Sequence, residues 1–282
     1  MSNLLDHYLL PLKLPFMQNS LLIALTIAIP MAMLSCLLIL KRWSLIGDGI
    51  SHSILPGVVL AYIIRIPLEI GAFAAGMFCS LSVGYLKNKS SIKDDTLLGI
   101  VFSGMFALGV MMMVKVESDV HLEHILFGDM LGISSSDLLN TALIALITFV
   151  FLILKGADLM LCAFDPQHAR AICLPLKFLH YGLLISISLV VVGALKSTGL
   201  ILSIALLILP GSIAYLIART YKSMIIISIA VAVICCFIGV YFSFFINSAP
   251  APTIVLTMTT TFITAAIYSN LRSYRLSKKN FS

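Results

Sequence analysis

Residues 41–64 read KRWSLIGDGISHSILPGVVLAYII. A basic turn is followed by about 20 residues that are apolar enough for a helix to cross the hydrocarbon of a bilayer. The exceptions are Asp48 and His52 in the heptapeptide GDGISHS at 47–53. Four-residue spacing on a helix sets these two side chains one above the other on a single face. An ionised carboxylate in hydrocarbon is costly, so an aspartate there faces a water-filled cavity or a partner. Gly49, Ser51 and Ser53 are small and let another helix or chain come close.

Apolar runs of this length recur along the 282 residues, at about 17–40, 45–64, 67–86, 97–114, 137–154, 178–195, 198–217, 224–246 and 253–271. The chain is 60% hydrophobic and 11% charged, with a mean hydropathy of +1.10, too apolar to hide its side chains in one water-soluble core. The expected fold is an all-α integral membrane protein, a polytopic bundle of eight or nine transmembrane helices forming one domain over 1–282. Strand-length alternation, the mark of a membrane barrel, is absent from the sequence. The open count comes from GALKSTGL at 193–200, which reads either as a turn between two spans or as a re-entrant bend. Pro30 and Pro210 fall inside spans, where a packed bundle tolerates a kink.

The first residues, MSNLLDHYLL, lack the positive start and cleavage site of a signal peptide. With the N-terminus outside and the C-terminus cytosolic, only Lys13, Arg65, Lys115 and Lys196 of the 18 Lys and Arg lie outside, as the positive-inside rule requires. The net charge of +6 is spread over several short loops, which fits membrane topology and excludes a nucleic-acid face. The six cysteines fall in spans or cytosolic loops, so neither a disulfide nor a zinc site is expected.

Three segments interrupt the apolar pattern. KNKSSIKDD at 87–95 is a mixed-charge cytosolic connector. The external segment 115–137 gathers acidic residues with His121 and His124, and Ser134 to Asp137 offer an N-cap for the next span. There His121, Glu123 and His124 form either a polar surface for a partner or a metal site. On the cytosolic side, Asp165 before Pro166 reads as an N-cap with proline at the first helical position, and Pro175 ends that short helix. A helix so punctuated between two spans makes a rigid cytosolic knob.

A carboxylate and an imidazole facing one cavity suit Mn²⁺, Fe²⁺ or Zn²⁺. The alternative is structural: Asp48 caps its helix and His52 makes a buried hydrogen bond. Two copies around a two-fold axis would bring two Asp and two His to one path. The phosphate loop G-x-x-x-x-G-K-[ST], H-E-x-x-H and G-x-S-x-G are all missing, so any ATP must be hydrolysed by another chain and the chain is no enzyme by itself.

KRWSLIGDGISHSILPGVVLAYII at 41–64, DTLLGIVFSGMFALG at 95–109, LEHILFGDML at 122–131, AFDPQHARAICLP at 163–175 and VVVGALKSTGLILSIALLILPGSIA at 190–214 together resemble the permeases of ABC importers for manganese, zinc and iron. The likeness runs through nearly the whole chain and is nearest to the bacterial manganese and chelated-iron permeases. It implies a permease of the bacterial inner membrane that pairs with a second permease subunit, identical or not. Cytosolic ATP-binding subunits would power it, and an extracytoplasmic metal-binding protein would deliver the ion. No cofactor is held permanently; the divalent ion, Mn²⁺ or Fe²⁺ first, is cargo. By the resemblance the metal path runs past Asp48 and His52, and Phe164, Asp165, Pro166 and Ala169 form the coupling segment to the ATPase. LFGD at 126–129, ending on Asp129, is expected near the external docking surface. Family members often carry glycine where this chain has Cys173, and a cysteine is expected to leave the helix by a different geometry from a left-handed cap. A rival reading is a gradient-driven secondary transporter with Asp48 and His52 as a proton relay.

Overall fold

The computed structural model describes residues 11, 13–43, 45–90, 92, 94–115, 128, 130, 132 and 134–280. Ten helices succeed one another among them: α1 (Pro15–Leu40), α2 (Ile46–Ser53), α3 (Leu55–Ile64), α4 (Leu68–Lys89), α5 (Asp94–Lys115), α6 (Ser135–Phe164), α7 (Pro166–Ala171), α8 (Leu176–Ile217), α9 (Tyr221–Ile246) and α10 (Pro250–Asn280). The described residues contain no strand. Eight segments are long and apolar enough to cross a membrane, α2 and α3 counting together as one.

The 42-residue α8 is two crossings folded back on each other. Gly199 sits at φ 72 and ψ 178, a backbone conformation open essentially to glycine alone. Before it, His180 lies edge-on to Trp43, just beyond the end of α1, with ring centroids 5.3 Å apart. After it, Ala214 packs with Cys36 near the same end of α1. Between them, Lys196 pairs with Asp137 in the first turn of α6, at the opposite end of the bundle. Both limbs therefore start or finish at the Trp43 end, and the reversal lies at the Asp137 end. Because the longest of the eight membrane-length segments doubles back, the described residues make nine passes through the bundle, the upper of the two expected counts.

α1 is the central post. It packs against α6, α8 and α9, and most of its length is buried. A second group, α2 to α5, leans on α8. Lipid tails are as apolar as the side chains, so helices associate here through close packing of small residues rather than hydrophobic expulsion. α3 crosses α4 at Gly57 and Gly71, where the methyl of Ala75 stands 2.6 Å from where a Cβ on Gly57 would lie. Gly211 of α8 is equally tight on Ser35 of α1, and its N–H donates to Ser35 Oγ at 2.9 Å. Pro30 and Pro210 both lie within helices, as expected.

Two smaller expectations change. The polar connector at 87–95 is shorter than its composition suggests, because α4 runs to Lys89 and α5 begins at Asp94. Ser134 occupies the N-cap position of α6, but its hydroxyl pairs with Ser136 Oγ at 3.0 Å instead of capping a backbone N–H. All six cysteines are free thiols.

Candidate metal site

α2 is a separate eight-residue helix because a proline stands just beyond its end. Pro56 has no N–H to donate to the carbonyl of His52 four residues earlier, so the ladder is interrupted at Ile54 and restarts in α3. Gly47 lets α2 rest on Leu207 of α8, whose Cδ1 stands 3.0 Å from the glycine's missing Cβ. Gly49 does the same against Leu98 of α5, with Cγ at 2.9 Å. The small residues of GDGISHS thus admit neighbours of the same chain and turn the opposite, polar face of α2 outward.

That face carries the expected pair. His52 Nε2 lies 3.4 Å from Asp48 Oδ1, and each side chain is 32% exposed. A carboxylate in the first turn of a helix is favoured by the N–H groups there. The imidazole is held by two rings of α5: Phe102 stacks on it at 6.1 Å and 28°, and Phe106 meets it edge-on at 5.4 Å and 83°. The 3.4 Å separation is also about the edge of a tetrahedron of ligands around a metal bonded at roughly 2.1 Å. The donor set and its spacing fit a divalent ion. The described residues contain no group of three or more His, Cys, Asp or Glu that would enclose an ion. Within one chain the pair thus stands as two candidate donors on a half-exposed face.

The pair sits toward the Trp43 end: counting about 1.5 Å per residue, His52 is about 20 Å from Arg65 at the far end of α3. Phe102 and Phe106 and the break at Pro56 were not singled out from sequence. Their signal was present in the four-residue spacing of the two phenylalanines and in a proline four residues after the histidine.

The knob forms as its punctuation requires. Asp165 Oδ1 accepts from the N–H groups of Gln167, at 3.1 Å, and His168, at 2.9 Å, and Pro166 begins α7. Ala169 is fully buried and anchors α7, whereas Phe164 stands out at 64% exposure. The expectation for Cys173 is overturned. It takes the left-handed conformation itself, at φ 56. Leu174 N–H donates to Ala169 O at 3.1 Å and Cys173 N–H to Arg170 O at 3.0 Å, the bond pair of a Schellman cap. A thiol-bearing side chain fits there because it points into open space; Cys173 is exposed.

At the other end of the bundle, Gly128 of the LFGD motif adopts φ 67 and presses on the α8 reversal, so close to Gly199 that no Cβ would fit. His121, Glu123, His124 and Asp129 lie outside the described residues.

Comparison with known proteins gives this geometry its context. The model of the ABC 3 transport family matches residues 13–269. The chain is 48% identical over 262 residues to the chelated iron transport system membrane protein YfeD of Yersinia pestis, covering 93% of this chain and 88% of that one. It is 42% identical over 262 residues to the manganese transport system membrane protein MntB of Synechocystis sp., covering 93% and 86%. Among solved structures, a chain of PsaBC from Streptococcus pneumoniae in complex with Fab superposes with a TM-score of 0.82 at 34% identity, over 93% of this chain and 95% of that one. A helical, multi-pass chain matched from Lys13 to near its end in this way is a member of the ABC 3 transport family.

Proposed function

We propose that this chain is the membrane-spanning permease subunit of an ATP-driven importer of divalent metal ions, Mn²⁺ or Fe²⁺ before Zn²⁺. The observation that carries the reading is the Asp48–His52 pair, 3.4 Å apart on an open face of a membrane helix. Family membership and the names of the manganese and iron relatives support it. Two chains facing each other across a two-fold axis would supply four donors around one path. Donors shared between two moving subunits release an ion when the subunits part, which a closed cage within one chain would not do.

In this reading the Trp43 end is cytosolic, the N-terminus is outside and the C-terminus inside. Separate ATP-binding subunits hydrolyse ATP and push on Phe164, Asp165, Pro166 and Ala169. An extracytoplasmic metal-binding protein docks at the opposite end, near His121, Glu123, His124 and Asp129. Raw affinity ranks Zn²⁺ above Mn²⁺ and Fe²⁺ at nitrogen and oxygen donors, so selection falls to geometry and to the delivering protein.

The test is uptake of radiolabelled Mn²⁺, Fe²⁺ and Zn²⁺ by cells carrying the whole transporter, with the ATPase intact or disabled at its phosphate loop. Uptake should vanish with the ATPase. Asp48→Ala and His52→Ala should each lower it by at least about tenfold at normal protein levels, since even the loss of a group that merely orients a metal ligand has that effect. Uptake that survives ATPase loss but collapses with the proton gradient would transfer Asp48 and His52 to a proton relay.

A further inference from the structure

α5 meets α2 and α3 along a seam with three levels. At two of them the helices come almost into backbone contact: Leu98 Cγ stands 2.9 Å from where a Cβ on Gly49 would lie, and the Pro56 nitrogen 2.8 Å from the same point on Gly109. Between these contacts Phe102 and Phe106, one helical turn apart, both meet the ring of His52. On another face of α2, Ile50 and Ile54 are buried against Gly76 of α4. The backbone of α2 is therefore held above, below and behind the two phenylalanine rings, which leaves those rings to act on the imidazole.

We infer that Phe102 and Phe106 are positioning residues for His52, their rings taking the place of the hydrogen bond that ordinarily aims a metal-binding imidazole and keeping Nε2 beside Asp48. The inference rests on the reading of Asp48 and His52 as the metal path. A histidine that ligates a metal is almost always oriented through its other nitrogen, which donates to a carboxylate, a carbonyl or water and thereby makes the ring a stronger ligand. Among the described residues no side chain or carbonyl takes that part for His52, whose one polar partner is Asp48. What holds the ring is the stacked Phe102 at 6.1 Å and the edge-on Phe106 at 5.4 Å, both within the range of favourable aromatic pairing. Two rings at right-angled and stacked settings restrain the direction of the imidazole without the bond at Nδ1 that would strengthen its grip on an ion. A donor on a transport path must let its ion go, and an imidazole aimed by apolar contact binds more weakly than one aimed by a hydrogen bond. Phe106 is 40% exposed, so it also walls the open face beside the pair.

The experiment is equilibrium binding of Zn²⁺ and of Mn²⁺, each metal alone, to the purified assembled transporter, with the binding lost in His52→Ala taken as the signal. Zn²⁺ draws more on an imidazole than Mn²⁺ does, since Mn²⁺ favours the carboxylate. Phe102→Leu and Phe106→Leu should each weaken the His52-dependent binding of Zn²⁺ about three- to tenfold and that of Mn²⁺ less than about twofold. Phe106→Tyr, which restores a ring, should recover Zn²⁺ binding to within about twofold of the parent. Equal weakening for the two ions overturns the inference, because it would mean that the rings only hold the helices together. Unchanged Zn²⁺ binding in both leucine variants overturns it as well. In either of these cases the loss in His52→Ala leaves the metal reading of the pair standing. No His52-dependent binding of either ion would overturn that reading and this inference together.

Discussion

Replacing Cys173 by glycine should strengthen the end of α7. The residue closes a Schellman cap at φ 56, where an L side chain brings its Cβ against the following carbonyl at roughly 1–2 kcal/mol. Glycine removes that strain but leaves the unfolded segment freer by about 0.5–1 kcal/mol. The net gain is about 0.5–1 kcal/mol, or a two- to fivefold shift in the opening equilibrium of the cap. The amides that report on it are Cys173, donating to Arg170 O, and Leu174, donating to Ala169 O. Hydrogen exchange of the intact transporter should therefore show protection factors at Leu174 about two- to fivefold higher in Cys173→Gly, with Cys173→Val moving the other way. Unchanged or lower protection in the glycine variant would refute the reasoning and show that the thiol makes a compensating contact.

Asp165→Ala removes the acceptor of two α7 N–H groups and should destabilise that helix by about 1 kcal/mol, seen as less metal imported per ATP hydrolysed while permease and ATPase still assemble. Gly57→Ala forces a methyl into the α3–α4 crossing and should cost about 1–3 kcal/mol, whereas Gly99→Ala, with open space around it, should be neutral or mildly stabilising; thermal melts of the purified transporter separate the two. The Lys196–Asp137 pair is short, at 2.7 Å, but the lysine is 61% exposed, so a double-mutant cycle should return a coupling of only about 0.5 kcal/mol, smaller still in high salt. A coupling of several kcal/mol would mean that the α8 reversal is shielded from water.

The membrane character and the helices were legible because hydrocarbon allows a spanning chain few choices: run length and charge asymmetry are enough to read them. The alignment of Asp48 with His52 came from helical spacing, and the capped knob from Asp165 and Pro166. Helix ends were less legible. Just beyond α1, α3, α7 and α9, Arg42, Arg65, Cys173 and Asn247 take the left-handed conformation, and none of these is the glycine that usually announces such a cap. All four are exposed and are closed by local backbone bonds of the Schellman kind, from the N–H groups of Trp43, Ile66, Leu174 and Ser248 to carbonyls five residues earlier, so residue type gives no signal of them. The aromatic clamp on His52 was equally hidden, since Phe102 and Phe106 read as two more apolar residues until α5 is laid against α2.

The sequence alone thus determined the solvent of this protein, its helical class and the chemistry of its polar pair, because each depends on residue type and near-neighbour spacing. Tertiary structure decided whether 176–217 crosses once or twice. The fold turns at Gly199, where Gly128 closes over the turn and Lys196 reaches Asp137. Those contacts join residues 59 or more positions apart, and no local pattern in the chain records them.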